Sequence, residues 1–314
     1  MSLRRLEFRK LDAFTDGPSG GNPAGLVLLR EEQTLSDGEM QQVASELGAF
    51  VSEVAFAHLQ EHGISLRYFS RDCEVPFCGH ATLATADYLF EHEPHYRDGS
   101  ALRLETPRGS LLAHHYRENG GCTFIEAPRW RDDGIRVSVE EAGRALDMPT
   151  AALGAASPSA TKQAPLVECG LRSVLLPAAS LRNVLTCTPQ PERLASFLRT
   201  HGADVLVLYT TETALPACAL RTRVFCPTFG YLEDPATGSG NAALAGWLRQ
   251  QGLWDGEVLS LEQGPDGANP NRVTIRRGQD GGLMIGGSAV VRIEGDYLLH
   301  RHRGGLRGML PRAN

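Results

Sequence analysis

Glu74-Val75-Pro76-Phe77-Cys78-Gly79-His80 and Glu233-Asp234-Pro235-Ala236-Thr237-Gly238-Ser239 align without a gap and share the pattern E-x-P-x-[C/T]-G. Each copy runs into an alanine-rich apolar stretch, ATLATADYL after the first and GNAALAGWL after the second. Each is preceded by a strand-like piece with an Arg-x-Phe core, Arg67–Phe69 and Arg223–Phe225. The copies lie 159 residues apart, 74 against 233. Ala81–Leu89 is apolar nearly all round, which is the signature of a helix buried on every side. Short β runs with turn signals surround it. A strand layer wrapped around one central helix, twice over, satisfies both facts.

A second correspondence supports duplication. Ser36 stands three residues before Glu39, the capping-box spacing, and Met40, Val43, Ala44 and Leu47 form a helical stripe that Gly48 ends as a C′ residue. The strand Phe50–Phe56 follows. Later, Leu194, Phe197 and Leu198 mark a helix over Pro191–His201, Gly202 closes it and the strand Val205–Tyr209 follows. The two glycines are 154 residues apart, 48 against 202, far too long a period for a solenoid. The expected architecture is α+β, with two pseudo-symmetric domains over residues 1–130 and 131–299 and a last strand near 300–314 as a candidate to join the first. Further strands are expected at Leu6–Phe14 and Leu26–Leu29, with the turn-rich run DGPSGGNPAG between them, and a helix capped by Ser138 is expected to reach Met148. APRWRDDG breaks the pattern near 128–135, and residues 150–165 read as a flexible stretch.

The whole-chain numbers bound the function. The 314 residues are 42% hydrophobic and 22% charged, with a net charge of −6 and a pI near 5.9. No run of five like charges points to nucleic acid or an anionic membrane. No signal-peptide h-region and no apolar span of membrane length is visible. Seven cysteines, an odd number, without an export signal read as reduced thiols in the cytoplasm.

The two glycine-marked turns are where chemistry is expected. Free N–H groups and the helix dipole converge at each helix start, so backbone amides after Gly79 and Gly238 would hold a carboxylate or a developing enolate oxygen. The plainer reading makes both glycines tight-turn residues only. His80 could relay a proton or serve as a structural hydrogen-bonding residue; its counterpart is Ser239. Glu53 lies within the apolar run Val51–Phe56, maps by the 154-residue offset onto Val207 and would be a desolvated acid/base with a raised pKa, unless it faces solvent. Asp234 is a partner carboxylate or a turn residue before Pro235. Three other motifs are weaker. Cys73-x4-Cys78-x-His80 resembles half a zinc site but lacks a second ligand pair. Gly238-x-Gly240-x-x-Ala243 matches a dinucleotide fingerprint only by letters. A two-thiol racemase would need cysteines at both turns, and the chain has Cys78 against Thr237.

At these residues the chain resembles the PhzF family, the phenazine-biosynthesis isomerase-like proteins of the diaminopimelate-epimerase fold. The resembling segments are DAFTDGPSGGNPAGLVLL, MQQVASELGAFVSEVAF, RYFSRDCEVPFCGHATLATADYL, EDPATGSGNAALAGWL and EQGPDGANPNRVTI…IGGSAVVRIEGDYLL. The resemblance implies diaminopimelate-epimerase-like domains, each a β-barrel-like sheet around a central helix, with the site in the cleft. It also implies a homodimer, a small anionic metabolite as substrate, and neither cofactor nor metal. By resemblance, Glu53 matches the glutamate that moves a proton within a dihydro-hydroxyanthranilate ring; His80, Asp234 and Ser239 match its partners. Gly79 and Gly238 match the backbone donors, and Asn22, Cys78 and Thr237 flank the substrate. Cys78 departs from the small residue of the phenazine enzyme. The expected activity is proton-transfer isomerisation by Glu53; the alternatives are an epimerase or hydro-lyase using Cys78 and Thr237, and a ligand-binding protein without chemistry.

Overall fold

The duplication reappears strand by strand in the backbone pairing. The computed structural model describes residues 3–15, 20–30, 32–61, 63–97, 99, 101–117, 121–154 and 162–300. The first half contributes β1 (Leu3–Ala13), β2 (Asn22–Leu29), β3 (Glu53–Gln60), β4 (Gly63–Ser70), β5 (Glu74–Val75), β6 (Ala101–Thr106), β7 (Gly109–Tyr116) and β8 (Cys122–Glu126). After β9 (Arg136–Ser138), the second contributes β10 (Gln163–Glu168), β11 (Arg172–Pro177), β12 (Val205–Thr210), β13 (Leu220–Phe225), β14 (Glu233–Asp234), β15 (Leu259–Gln263), β16 (Asn271–Arg277) and β17 (Leu283–Gly287), followed by β18 (Ala289–His300). The helices are α1 (Asp37–Leu47), α2 (Gly79–His92), α3 (Pro94–Arg97), α4 (Val139–Ala145), α5 (Leu181–Thr186), α6 (Pro191–His201) and α7 (Gly238–Gln250).

In the first half β1 pairs antiparallel with β2, β2 parallel with β3, β3 antiparallel with β4 and β4 parallel with β6, and β6–β7–β8 continue antiparallel. The second half repeats each step with β10, β11, β12, β13, β15, β16 and β17. The halves join where equivalent strands meet, β8 antiparallel to β17 with Ile125 opposite Ile285. An exchange completes the symmetry. β9, leaving the first half, pairs with β10 of the second; β18, leaving the second, pairs with β1 of the first from Ala289 opposite Ala13 to His300 opposite Leu3. Residues 289–300 therefore lie on the first half's sheet, and the stretch beyond His300 is outside the described residues.

Alternation along the strands sorts the core into layers. Ala55 and Ala57 face inward with α2, while Val54 and Phe56 face outward against Met40 and Val43 of α1. In the second half Val205 and Val207 face inward with α7, while Leu206 and Leu208 meet Leu194 and Leu198 of α6. Every residue of α2 from Ala81 to Phe90 is buried, as its all-round apolar sequence requires. Across the junction, Trp130 donates to the Ala243 carbonyl at 3.0 Å, and a Cβ on Gly246 would lie 2.3 Å from its ring.

Most local expectations match. Ser36 and Glu39 form the capping box, and Gly202 ends α6 in the left-handed region at φ 59°. Gly48 differs: it is right-handed, φ −62°, and the Arg71 side chain 3.1 Å from where a Cβ would sit explains the glycine instead. The Ser138-capped helix ends at Ala145, short of Met148. Within the stretch read as flexible, Thr150–Ala152 is a 3-10 turn and β10 begins at Gln163; residues 155–161 lie outside the described residues, as do 16–19 of the first turn. Among the described residues no helix is long and apolar enough to cross a membrane. None of the seven cysteines, all of them among the described residues, forms a disulfide.

Candidate active site

The repeated motif is held by an ion pair that is itself repeated. Phe69 lies opposite Glu74 across β4–β5, and Phe225 opposite Glu233 across β13–β14. This brings Arg67 onto Glu74 through two hydrogen bonds of 2.7 Å, and Arg223 onto Glu233 through bonds of 2.9 and 2.6 Å. Each planar guanidinium fixes its carboxylate bidentately. The chain then turns at the proline and enters a helix whose N-cap, Cys78 or Thr237, is extended and contributes no side-chain cap. Buried side chains one turn later brace both caps: Thr82 Oγ1 donates to the Cys78 carbonyl at 2.6 Å, and Asn241 Nδ2 to the Thr237 carbonyl at 2.9 Å.

Between the two helix starts lies a cavity of about 450 Å³, lined from one side by Glu53, Cys78, Gly79 and His80 and from the other by Asp234, Thr237, Gly238 and Ser239. Eight of the nine expected residues thus meet at one cleft. Asn22 stands behind it, buried, donating to Asp234 Oδ1 at 2.8 Å and to the Ala236 carbonyl at 2.9 Å. Both uncapped helix N-termini present partial positive charge to the cavity. The glycines are unequal: a Cβ on Gly238 would lie 2.7 Å from Ile285, whereas one on Gly79 would meet only Phe77, at 3.8 Å.

Glu53 opens β3, so the strand begins three residues later than expected. Its Oε2 lies 3.5 Å from His80 Nε2 and 3.9 Å from Cys78 Sγ. The expected counterpart, Val207, needs correcting. Val54 pairs with Phe69 and Leu206 pairs with Phe225, so Glu53 corresponds to Val205, which lines the same cavity. The chain between the helix-ending glycine and the next strand is two residues shorter in the second half, and strand pairing, not the glycine, sets the register. The acid/base is still without a twin.

Cys78 Sγ lies 3.4 Å from His80 Nδ1. Burial, reinforced by the charges of Glu53 and Asp234, pushes this thiol well above its usual range. It is protonated at neutral pH and can donate a proton but is a poor nucleophile. Donor atoms of Glu53, Cys78 and His80 lie within 4.8 Å of one another, close enough to share a thiophilic cation. Cys73, the other half of the suspected zinc spacing, is exposed and interacts with Ser70.

Asp234 sits on a network that the motif does not announce. Thr237 Oγ1 donates to its Oδ2 at 2.5 Å, and Gln263 Nε2 donates to its carbonyl at 2.8 Å. Gln263 Oε1 accepts from the Thr237 amide at 2.9 Å and from Asn241 Nδ2 at 2.6 Å. Asn271 ties Pro235 to the first half, donating to the Pro235 carbonyl at 2.7 Å and accepting from the Gly21 amide at 2.6 Å. Gln263, Asn241 and Asn271 are the site residues that sequence reasoning missed; their only signal is an uncharged polar residue at a buried position.

Burial raises the Asp234 carboxyl to about 6; Glu53 adds to the rise, while His80, Thr237 and Asn22 oppose it. Because the folded-state value lies above the ordinary 3.8, the folded protein holds this proton more tightly. That contribution to stability is full below about 3.8 and is lost as pH rises through about 6. Asp234→Asn should flatten urea-unfolding stability across this window. Asn22→Ala, which removes a donor to the carboxylate, should move the inflection to higher pH.

A hydroxyproline epimerase from Agrobacterium vitis shares the fold, at TM-score 0.58 and 12% identity over 95% of this chain and 93% of that one. The chain has the architecture of the isomerases and epimerases of the diaminopimelate-epimerase type, with the residues of its two helix starts converging in the cleft. A solved phenazine biosynthesis protein of the PhzF family from Bacillus anthracis is closer, at TM-score 0.78 and 26% identity over 95% of this chain and 99% of that one. An "Uncharacterized isomerase YddE" from Escherichia coli O157:H7 is 28% identical over 92% of this chain and 97% of its own. Residues 11–295 match the phenazine biosynthesis-like protein family, PhzC-PhzF, and the chain belongs to that family. It is an isomerase or epimerase of that kind.

Proposed function

We propose that the protein moves a proton within a small carboxylate-bearing metabolite without a cofactor, with Glu53 as the acid/base. One observation carries the reading: Glu53 is the carboxylate poised on His80 at the N-terminus of α2, in the cleft that Asp234 lines from the other half. The helix N-termini after Gly79 and Gly238 would hold the substrate carboxylate and stabilise the enolate-like charge that appears as the proton leaves. Glu53 takes the proton from a carbon next to an unsaturated or carbonyl group and returns it elsewhere; His80 and Asp234 supply hydrogen bonds that follow the moving charge. Incubation with candidate carboxylates in D2O, followed by NMR, tests this. Deuterium uptake is expected, and saturable binding without exchange would turn the reading to a binding protein.

The 3.4 Å approach of Cys78 to His80 favours a second reading, in which the thiol is the proton donor of an epimerase or hydro-lyase. Thr237, its partner by repeat, is occupied on Asp234 and offers no second thiol. Cys78→Ala is therefore expected to lose less than about a hundredfold in turnover, the small end of acid–base contributions. A dead variant with intact circular dichroism would establish the thiol mechanism.

A further inference from the structure

We infer that Arg108 binds a second anionic group of the substrate, a carboxylate or phosphate remote from the reacting carbon, at the rim of the cleft. The inference rests on the proton-transfer reading of the site and adds the class of substrate: a doubly charged metabolite. Among the residues lining the cavity, Arg108 is the only arginine or lysine. Among the described residues its guanidinium forms no ion pair, although many arginines of this chain do. Glu126 borders an adjoining cavity of about 250 Å³ that Arg108 and Phe77 also line, and its Oε2 accepts from the Leu112 amide at 2.9 Å.

The backbone that carries Arg108 is fixed. It sits in the β6–β7 hairpin turn, where the Arg108 amide donates to Thr106 Oγ1 at 3.2 Å and Thr106 Oγ1 donates to the Gly109 carbonyl at 2.8 Å. Gly109 completes the turn at φ +118°, a conformation that glycine supplies. The charges inside the cleft make the case directional. Glu53 and Asp234 line the same cleft and are less exposed than Arg108, so the helix N-termini can take one substrate anion, but a second one beside these carboxylates would meet like charge. It is driven to the rim, where the unpaired guanidinium presents a fork of donors matched to carboxylate or phosphate. Arg108 is exposed, so water and salt moderate the attraction.

Calorimetric titration with benzoate, the three benzenedicarboxylates and 4-phosphonobenzoate tests the inference on the intact protein at low salt. The best doubly charged ligand is expected to bind about tenfold tighter than benzoate, the gain of one charge-assisted contact. Arg108→Met should erase that gain and leave benzoate unchanged, and Arg108→Lys should keep part of it. A stronger gain for the phosphonate would identify phosphate as the group; a stronger gain for a dicarboxylate would identify carboxylate. Doubly charged ligands that bind no better than benzoate, including the case where none binds, overturn the inference, as does a gain that survives Arg108→Met. These titrations need no turnover, so failure of Glu53-dependent exchange would be read separately.

Discussion

Glu53→Gln is expected to lower turnover by about two to four orders of magnitude, the usual worth of a positioned acid/base, with little change in KM. The amide keeps the shape of the side chain and can still hydrogen-bond to His80, 3.5 Å away, so the fold and the cradle of helix N-termini should survive. What disappears is the ability to hold a proton between its removal and its return. Deuterium uptake in D2O should vanish in parallel with turnover, since both need the same carboxylate. Glu53→Asp, which shortens the reach by one methylene, should fall between wild type and the glutamine variant. Turnover of Glu53→Gln within a factor of a few of wild type would remove Glu53 from the chemistry and pass the role to Asp234, whose carboxyl at about 6 is the other candidate in the cleft.

The fold was legible because duplication writes the same physical requirements twice. The E-x-P-x-[C/T]-G turns, the all-round apolar helices and the helix–Gly–strand order each recur, and recurrence separates a structural demand from chance. The residues of the two turns were legible for the same reason. Two kinds of information were not. The first is register: Glu53 corresponds to Val205, and only the pairing of Val54 with Phe69 and Leu206 with Phe225 reveals it. The second is support from distant strands. Gln263 and Asn271 reach Asp234, Pro235 and Thr237 from β15 and β16, and no spacing within the motif points to them. Likewise, a last strand joining the first domain was expected near 300–314, whereas the strand that pairs with β1 at the opposite end of the chain is β18, Ala289–His300. The Arg67–Glu74 and Arg223–Glu233 pairs fall in between. All four residues stand in the repeated segments, and a two-strand turn between Arg-x-Phe and Glu was enough to bring each pair together.

Those two ion pairs have the same geometry and should differ in energetic weight, because burial differs. Arg223 and Glu233 expose 6% and 15% of their side chains, while Arg67 and Glu74 expose 33% and 38%. Arg223 also donates through Nη1 to the Val184 carbonyl at 3.0 Å and the Cys187 carbonyl at 2.6 Å, so it is committed to the interior. Glu233→Ala would strand that guanidinium without a counter-charge, at a cost of about 3 kcal/mol by analogy with broken buried pairs. Arg67 can turn to water and keeps Asp37 Oδ1 at 2.7 Å, so Glu74→Ala should cost about 1 kcal/mol or less. Urea unfolding of the two variants measures the difference. The double variant Arg223→Ala/Glu233→Ala should recover part of the loss, since it removes the orphaned charge together with its partner. Glu233 also fixes the turn that aims α7 at the cleft, so Glu233→Ala should lose turnover even under conditions where it is folded, and Glu74→Ala should lose less. Equal costs in the two halves would mean that the pairs act through the turn alone and that burial contributes nothing. A larger cost for Glu74→Ala would place the critical support of the cleft beneath α2, on the side that carries Glu53.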